Sequence, residues 1–194
     1  MKKTIPHLIA IFFVAVIAAG CASSPSRFYT LNATATADGS PALQCAIAIG
    51  PVTVPALVDH PPITVQLATN RVAVDEFNRW AEPLNENIAR VVAGNLSVLL
   101  GTSQVATVPL ANFKPTYEVT INIQRFDSVP GKSVLVEALW VVRPAAGGTA
   151  QSGHTVAREP VSGSSFDALI AAHSRALAKV SHDIAAAIRA EAKQ

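Results

Sequence analysis

The chain has 194 residues, half of them hydrophobic and 14% charged, with 15 Lys plus Arg against 13 Asp plus Glu. Lys2 and Lys3 account for that excess, so the rest is formally neutral and offers no basic stripe for nucleic acid or anionic headgroups. Cys21 and Cys45 are the only cysteines, and a chain this long and this apolar can build a core without a disulfide.

Residues 1–20 read as a bacterial secretory signal: Lys2 and Lys3, then an uncharged run from Thr4 to Gly20 that is short for a stable transmembrane helix. Ala18, Ala19 and Gly20 stand directly before Cys21, the small-residue setting of a lipobox, although Ala18 occupies the place usually held by a bulky aliphatic. A lipidated Cys21 at the mature N-terminus is the expectation, with triacylation and export to the inner leaflet of the outer membrane, because Ala22 is neutral where Asp tends to retain a lipoprotein at the inner membrane. Ordinary signal cleavage near Gly20 is the alternative.

Residues 21–26 form a short polar tether, and residues 27–194 form one periplasmic domain. Arg27 to Asn32 is strand-like, with Phe28 and Leu31 expected to dock, and Ala33 to Ala42 is small, polar and loop-like. Leu43 to Ile49 leads into Pro51-Val52-Thr53-Val54-Pro55, a strand expected to run to a sheet edge because proline cannot donate within a sheet. Cys45 lies in this apolar run and reads as a buried small hydrophobe. Ile63 to Leu67 and Val72 to Val74 alternate around Thr69-Asn70, a hairpin pattern.

Pro83 opens a helix with Leu84, Ile88, Val91, Val92, Leu96 and Leu99 on one face and Gly101 past its end. Thr116 to Phe126 and Ser133 to Arg143 alternate apolar and polar around Val129-Pro130-Gly131-Lys132, an antiparallel hairpin. A polar strand over Ala150 to Arg158 follows. Gly163-Ser164-Ser165 then leads into a long helix whose seam is Phe166, Leu169, Ile170, His173, Leu177, Val180, Ile184 and Ile188. Two one-striped helices need a sheet to cover, so the fold class is α+β: a single domain, a mostly antiparallel sheet with two amphipathic helices packed on it.

Catalytic and metal chemistry leave no motif. His7 falls in the signal, His60 in a Pro-rich loop and His154 in the polar strand. His173 and His182 stand nine apart on one helix, about 900° of rotation, and so face opposite sides. No metal site or cofactor is expected, nor is an enzyme, although a Ser, His and Asp assembled in three dimensions would leave no trace in the sequence.

The segment from Val54 to Leu96, with Arg79-Trp80-Ala81-Glu82-Pro83-Leu84 at its centre, resembles the PqiC family of ABC-type transport auxiliary lipoproteins. The resemblance continues through Arg27 to Leu31, Arg125 to Asp127, Leu139-Trp140 and Leu169 to Ile188. His60 departs from it, standing where the family often has Arg. The resemblance implies an outer-membrane lipoprotein that docks a tunnel of mammalian-cell-entry (MCE) domain proteins for lipid transport, forms a ring-like homo-oligomer and supports membrane integrity. A structural or assembly-factor lipoprotein of another envelope complex is the alternative function. Phe77, Arg79, Trp80 and His60 are the candidate interface residues. For Trp80 a second reading stands beside this one, a buried plug at the strand-to-helix corner.

Overall fold

The computed structural model describes residues 25–108 and 110–193. The signal segment, Cys21 and most of the tether lie outside these residues. Among the described residues, eight strands and two helices follow in the order β1 (Arg27–Tyr29), β2 (Ile47–Thr53), β3 (Pro62–Ala68), β4 (Arg71–Trp80), α1 (Leu84–Leu100), β5 (Val105–Ala106), β6 (Tyr117–Val129), β7 (Ser133–Pro144), β8 (Gln151–Pro160) and α2 (Phe166–Glu191).

The α+β class stands, with the strands divided between two mixed sheets rather than one. A five-stranded sheet runs β5-β2-β6-β7-β8 and a three-stranded sheet runs β1-β4-β3. The hairpin ladders β3–β4, β6–β7 and β7–β8 are antiparallel. The pairs β1–β4, β2–β5 and β2–β6 are parallel. Parallel pairs join strands remote in sequence, so local periodicity does not announce them.

The β6–β7 hairpin is the spine. Tyr117, Val119, Ile121 and Ile123 point into the core, and Gln124 is an extra residue without a partner on β7. That bulge shifts the alternation by one, so Phe126 and Ser128 continue on the buried face. On β7 the Trp140 indole lies across Gly153 of β8, where any added methyl would overlap it. Trp140 Nε1 donates to Thr155 Oγ1 at 3.0 Å, and Thr155 Oγ1 donates to Asp183 Oδ2 of α2 at 2.5 Å. β2 lies between β5 and β6, but β5 pairs only Ile47 and Ala48. The expected edge therefore begins midway along the strand, and Pro51 is tolerated at a register shift where no strand lies on its far side.

Both helices bury the predicted seams, except that Phe166 at the start of α2 is only partly buried. Gly101 closes α1 in the left-handed region at φ 64°, and Ser165 caps α2 by accepting from the Ala168 N–H at 3.2 Å. Burial pushes the Cys45 thiol pKa up, as suits a small apolar filler.

The stretch expected as a loop, Ala33 to Ala42, belongs to an ordered strap over the helix pair. Asn95 Oδ1 of α1 accepts from the Thr34 and Ala35 N–H groups, both at 2.9 Å, while Asn95 Nδ2 donates to Ser181 Oγ of α2 at 3.1 Å. Asn87 Oδ1 accepts from the Leu31 N–H at 3.2 Å, and Ser174 Oγ accepts from the Asn32 N–H at 3.2 Å. Arg189 donates to the Pro41 and Leu99 carbonyls at 2.8 Å each, fixing the strap's far end. Leu31 is fully buried as expected, whereas Phe28 is 65% exposed and does not dock. β1 is an edge of the small sheet, paired to its central strand β4, and strand alternation sends Tyr29 inward onto Phe166 and Phe28 outward.

Candidate interaction surface

Phe77 owes its exposure to the backbone. Ile63 pairs with Asp75 and Pro62 with Arg79, so Glu76, Phe77 and Asn78 have no partners on β3. Asp75 Oδ1 accepts from the Phe77 and Asn78 N–H groups at 3.0 Å each and holds this bulge. Phe77 is left 48% exposed, and Arg79, on the same outward alternation, stands 4.0 Å from Glu76. The Phe28 register partner is Arg79, so the two aromatics and the guanidinium share the outer face of the small sheet. Val72 and Val74 extend the exposed apolar surface along β4, and Leu67 does so on β3.

Trp80 alternates the other way. It is 5% exposed, meets Phe126 edge-on at 6.2 Å between centroids, and its backbone N–H donates to the Pro61 carbonyl at 2.7 Å. It also walls a cavity of about 360 Å³ with Asp59, His60, Pro61 and the Ala81 to Leu84 corner. His60 Nε2 lies 3.3 Å from Thr64 Oγ1, and His60 Nδ1 is buried without a partner among the described residues. The four candidates thus divide. His60 and Trp80 share a cavity at the helix-entry corner, and Phe77 and Arg79 face outward. Behind the corner, Arg90 ties Glu82, Asn87 and Thr30 together, each contact at 2.7 Å.

A second recess was not anticipated. It has a volume of about 650 Å³ and wraps the edge of the large sheet where β5 stops, between β2, the start of α1 and the β5–β6 connection. Ile49, Val52 and Ala89 form its buried floor, and Val108 and Leu110, 62% and 55% exposed, stand in its wall. Glu86 and Glu118 line it as well. The sequence held one signal for it, apolar residues without periodicity in the stretch before Pro115.

Titratable groups are also buried in and around the core. Ser128 Oγ lies 2.8 Å from His173 Nε2, both side chains are buried, and the imidazole stacks on Phe126 at 3.9 Å. Burial alone pushes the His173 pKa down to about 3, which keeps the ring neutral. His182 is exposed on the opposite side of α2. Burial pushes the Glu159 carboxyl upward, but Lys179 at 2.6 Å and Arg175 at 3.0 Å outweigh it and hold the group below the usual carboxylate range. Among the described residues no three His, Cys, Asp or Glu side chains gather as a metal site would require.

Over residues 29–185 the sequence matches the family described as the ABC-type transport auxiliary lipoprotein component. No curated protein matches the chain. Its fold is shared by the crystal structure of an uncharacterised protein, with a TM-score of 0.71 and 18% identity over 85% of this chain and 99% of the other. A Xanthomonas campestris protein is similar at a TM-score of 0.66 and 18% identity, over 82% and 92% of the two chains. A PelC dodecamer subunit from Paraburkholderia phytofirmans is a looser likeness, with a TM-score of 0.37 and 13% identity over 76% and 92%.

Proposed function

The chain belongs to the family of ABC-type transport auxiliary lipoprotein components, and on that premise we propose that it is the outer-membrane-anchored subunit of an envelope lipid-transport system built around an MCE-domain tunnel protein. In this reading it docks the tunnel, assembles with its own copies and turns over no substrate. The observation that carries it is the outer face of the small sheet. Phe28 and Phe77 stand there exposed with the half-buried Arg79, placed by strand alternation and a bulge, and aromatics and arginine are the residue types that dominate binding hot spots. The Ser128–His173 pair, sealed in the core, supports the non-catalytic part.

A triacylated Cys21 supplies the anchor. At ~3.3 Å per extended residue the tether from Cys21 to Arg27 spans under about 20 Å, so β1 and its exposed Phe28 sit close to the membrane. Each buried methylene of an acyl chain contributes ~0.8 kcal/mol, and several chains hold the protein permanently. Isolation of the full-length protein from envelopes should yield an acylated Cys21 by mass spectrometry and the MCE-domain protein of the same genome as a companion. Absence of that companion in solution and on membranes would overturn the reading, and an unmodified Cys21 would overturn the anchor.

A further inference from the structure

The recess at the β5 edge is a preformed site, and its chemistry restricts what fits. Its floor of Ile49, Val52 and Ala89 belongs to the hydrophobic core, so the floor does not depend on an occupant. Its wall is different. Val108 and Leu110 present more than half their surface to water, and Phe113 stands beside them, an arrangement that gains free energy only when covered.

Charge selects among possible occupants. Glu86 and Glu118 both line the recess, neither has a hydrogen-bond or ion-pair partner among the described residues, and no Lys or Arg lines it. Two unpaired carboxylates repel the carboxylate of a fatty acid and the phosphate of a phospholipid, and attract an ammonium or guanidinium. Pro51, which lacks an N–H, sits in the neighbouring stretch of β2, so an incoming strand would find a broken ladder. Recognition by an inserted side chain is left.

The geometry points to a docking site for a polypeptide segment of the transport partner, an apolar side chain seated between Ile49, Val108 and Leu110 with a flanking Lys or Arg held by Glu86 and Glu118. This rests on the proposed function, because it names the place where the partner is gripped. It adds a second contact, separate from the Phe28–Phe77–Arg79 face.

The test uses the full-length lipidated chain and the MCE-domain protein of the same genome, co-isolated in detergent at low and high salt. The variants are the double reversal Glu86→Lys with Glu118→Lys, and separately Leu110→Asp. All three altered side chains are exposed, so the fold should hold, with the charge reversal lowering the melting temperature by no more than a few degrees because it puts Lys in the first turn of α1 and opposite Arg143 on β7. The expected result is capture weakened about tenfold or more by each variant, with the wild type losing affinity as salt rises. Wild-type capture with undiminished capture by both variants overturns the docking site and leaves the proposed function standing. Absence of wild-type capture overturns both. A change confined to the self-associated mass assigns the recess to a second copy. Binding to phosphatidylglycerol vesicles that Leu110→Asp abolishes and the charge reversal strengthens assigns it to lipid. Either of these last outcomes overturns the inference as well.

Discussion

β6 and β4 are both long strands next to a hairpin, yet they spend their residues differently. β6 buries alternate side chains under the helices, and its bulge at Gln124 shifts that alternation by one so that Phe126 and Ser128 stay on the buried face. β4 buries only Trp80 of its ten residues, and its bulge turns Phe77 outward. The same device, a break in the ladder of one residue in β6 and three in β4, serves packing in one sheet and display in the other. The large sheet with its helices is the body. The small sheet is a platform rooted in that body through Trp80 and the buried β3 residues Ile63 and Val65.

The largest effect should come from cutting that root. Trp80→Ala removes a buried indole packed on Phe126 and should cost ~3–5 kcal/mol, read by thermal or urea unfolding. An unchanged melting temperature with loss of self-association or partner binding would instead make Trp80 part of the platform's working surface and erase the root. Asn95→Ala comes next. It strips two strap N–H groups of their acceptor and Ser181 of a donor, and should cost about 1–3 kcal/mol. Proteolysis should then open within residues 30–43 before the body is cut. Cleavage in β6 or β7 first would show that the strap is not an independently held layer.

The body was legible in the sequence because its pattern is local. Leu84 to Leu99 and Phe166 to Ile188 repeat at helical spacing, Gly101 and Ser165 punctuate them, and Tyr117 to Ile123 alternates as a one-sided strand must. The platform and the strap were not legible in this way. Arg27 to Tyr29 meets β4 about fifty residues away, and no local period encodes a parallel pairing. Phe28 looked like an anchor because aromatic residues usually are, but the short strand offers one inward position and Tyr29 takes it. The strap residues are small and polar, and what orders them is Asn87, Asn95 and Ser174, polar groups set into helix faces that otherwise read as apolar. Trp80 shows the converse: a corner plug was one of its two readings, and Phe126 completes it through a contact the sequence does not announce.

His173 gives the body a pH dependence. The folded ring titrates at about 3, below the ordinary value of 6.5, so between those values the unfolded chain binds a proton that the fold refuses. Stability from this group is fully present above pH 6.5 and is lost as pH falls from there toward 3, by at most ~1.4 kcal/mol per pH unit. Unfolding free energies at pH 7.5 and 5.5, above the carboxylate range, should show the loss in the wild type and a smaller one in His173→Gln. Equal slopes would mean that the imidazole can gain a proton without disturbing the core.

The smallest effect on stability is expected at the platform's outer face. Phe77 is held by its neighbours' backbone, since Asp75 closes the bulge whatever side chain stands at position 77, and nearly half of the ring is already in water. Phe77→Ser should therefore shift the unfolding free energy by no more than ~0.5 kcal/mol. Asp75→Ala, which removes the acceptor for two N–H groups, should shift it more. Co-isolation with the MCE-domain partner, or the self-associated mass by light scattering, should fall in Phe77→Ser while the melting temperature holds. That split between binding and stability is what a display surface predicts and a packing surface does not. A loss of ~2 kcal/mol or more in Phe77→Ser would show the ring packed rather than displayed, and β4 would then join β6 as an ordinary structural strand.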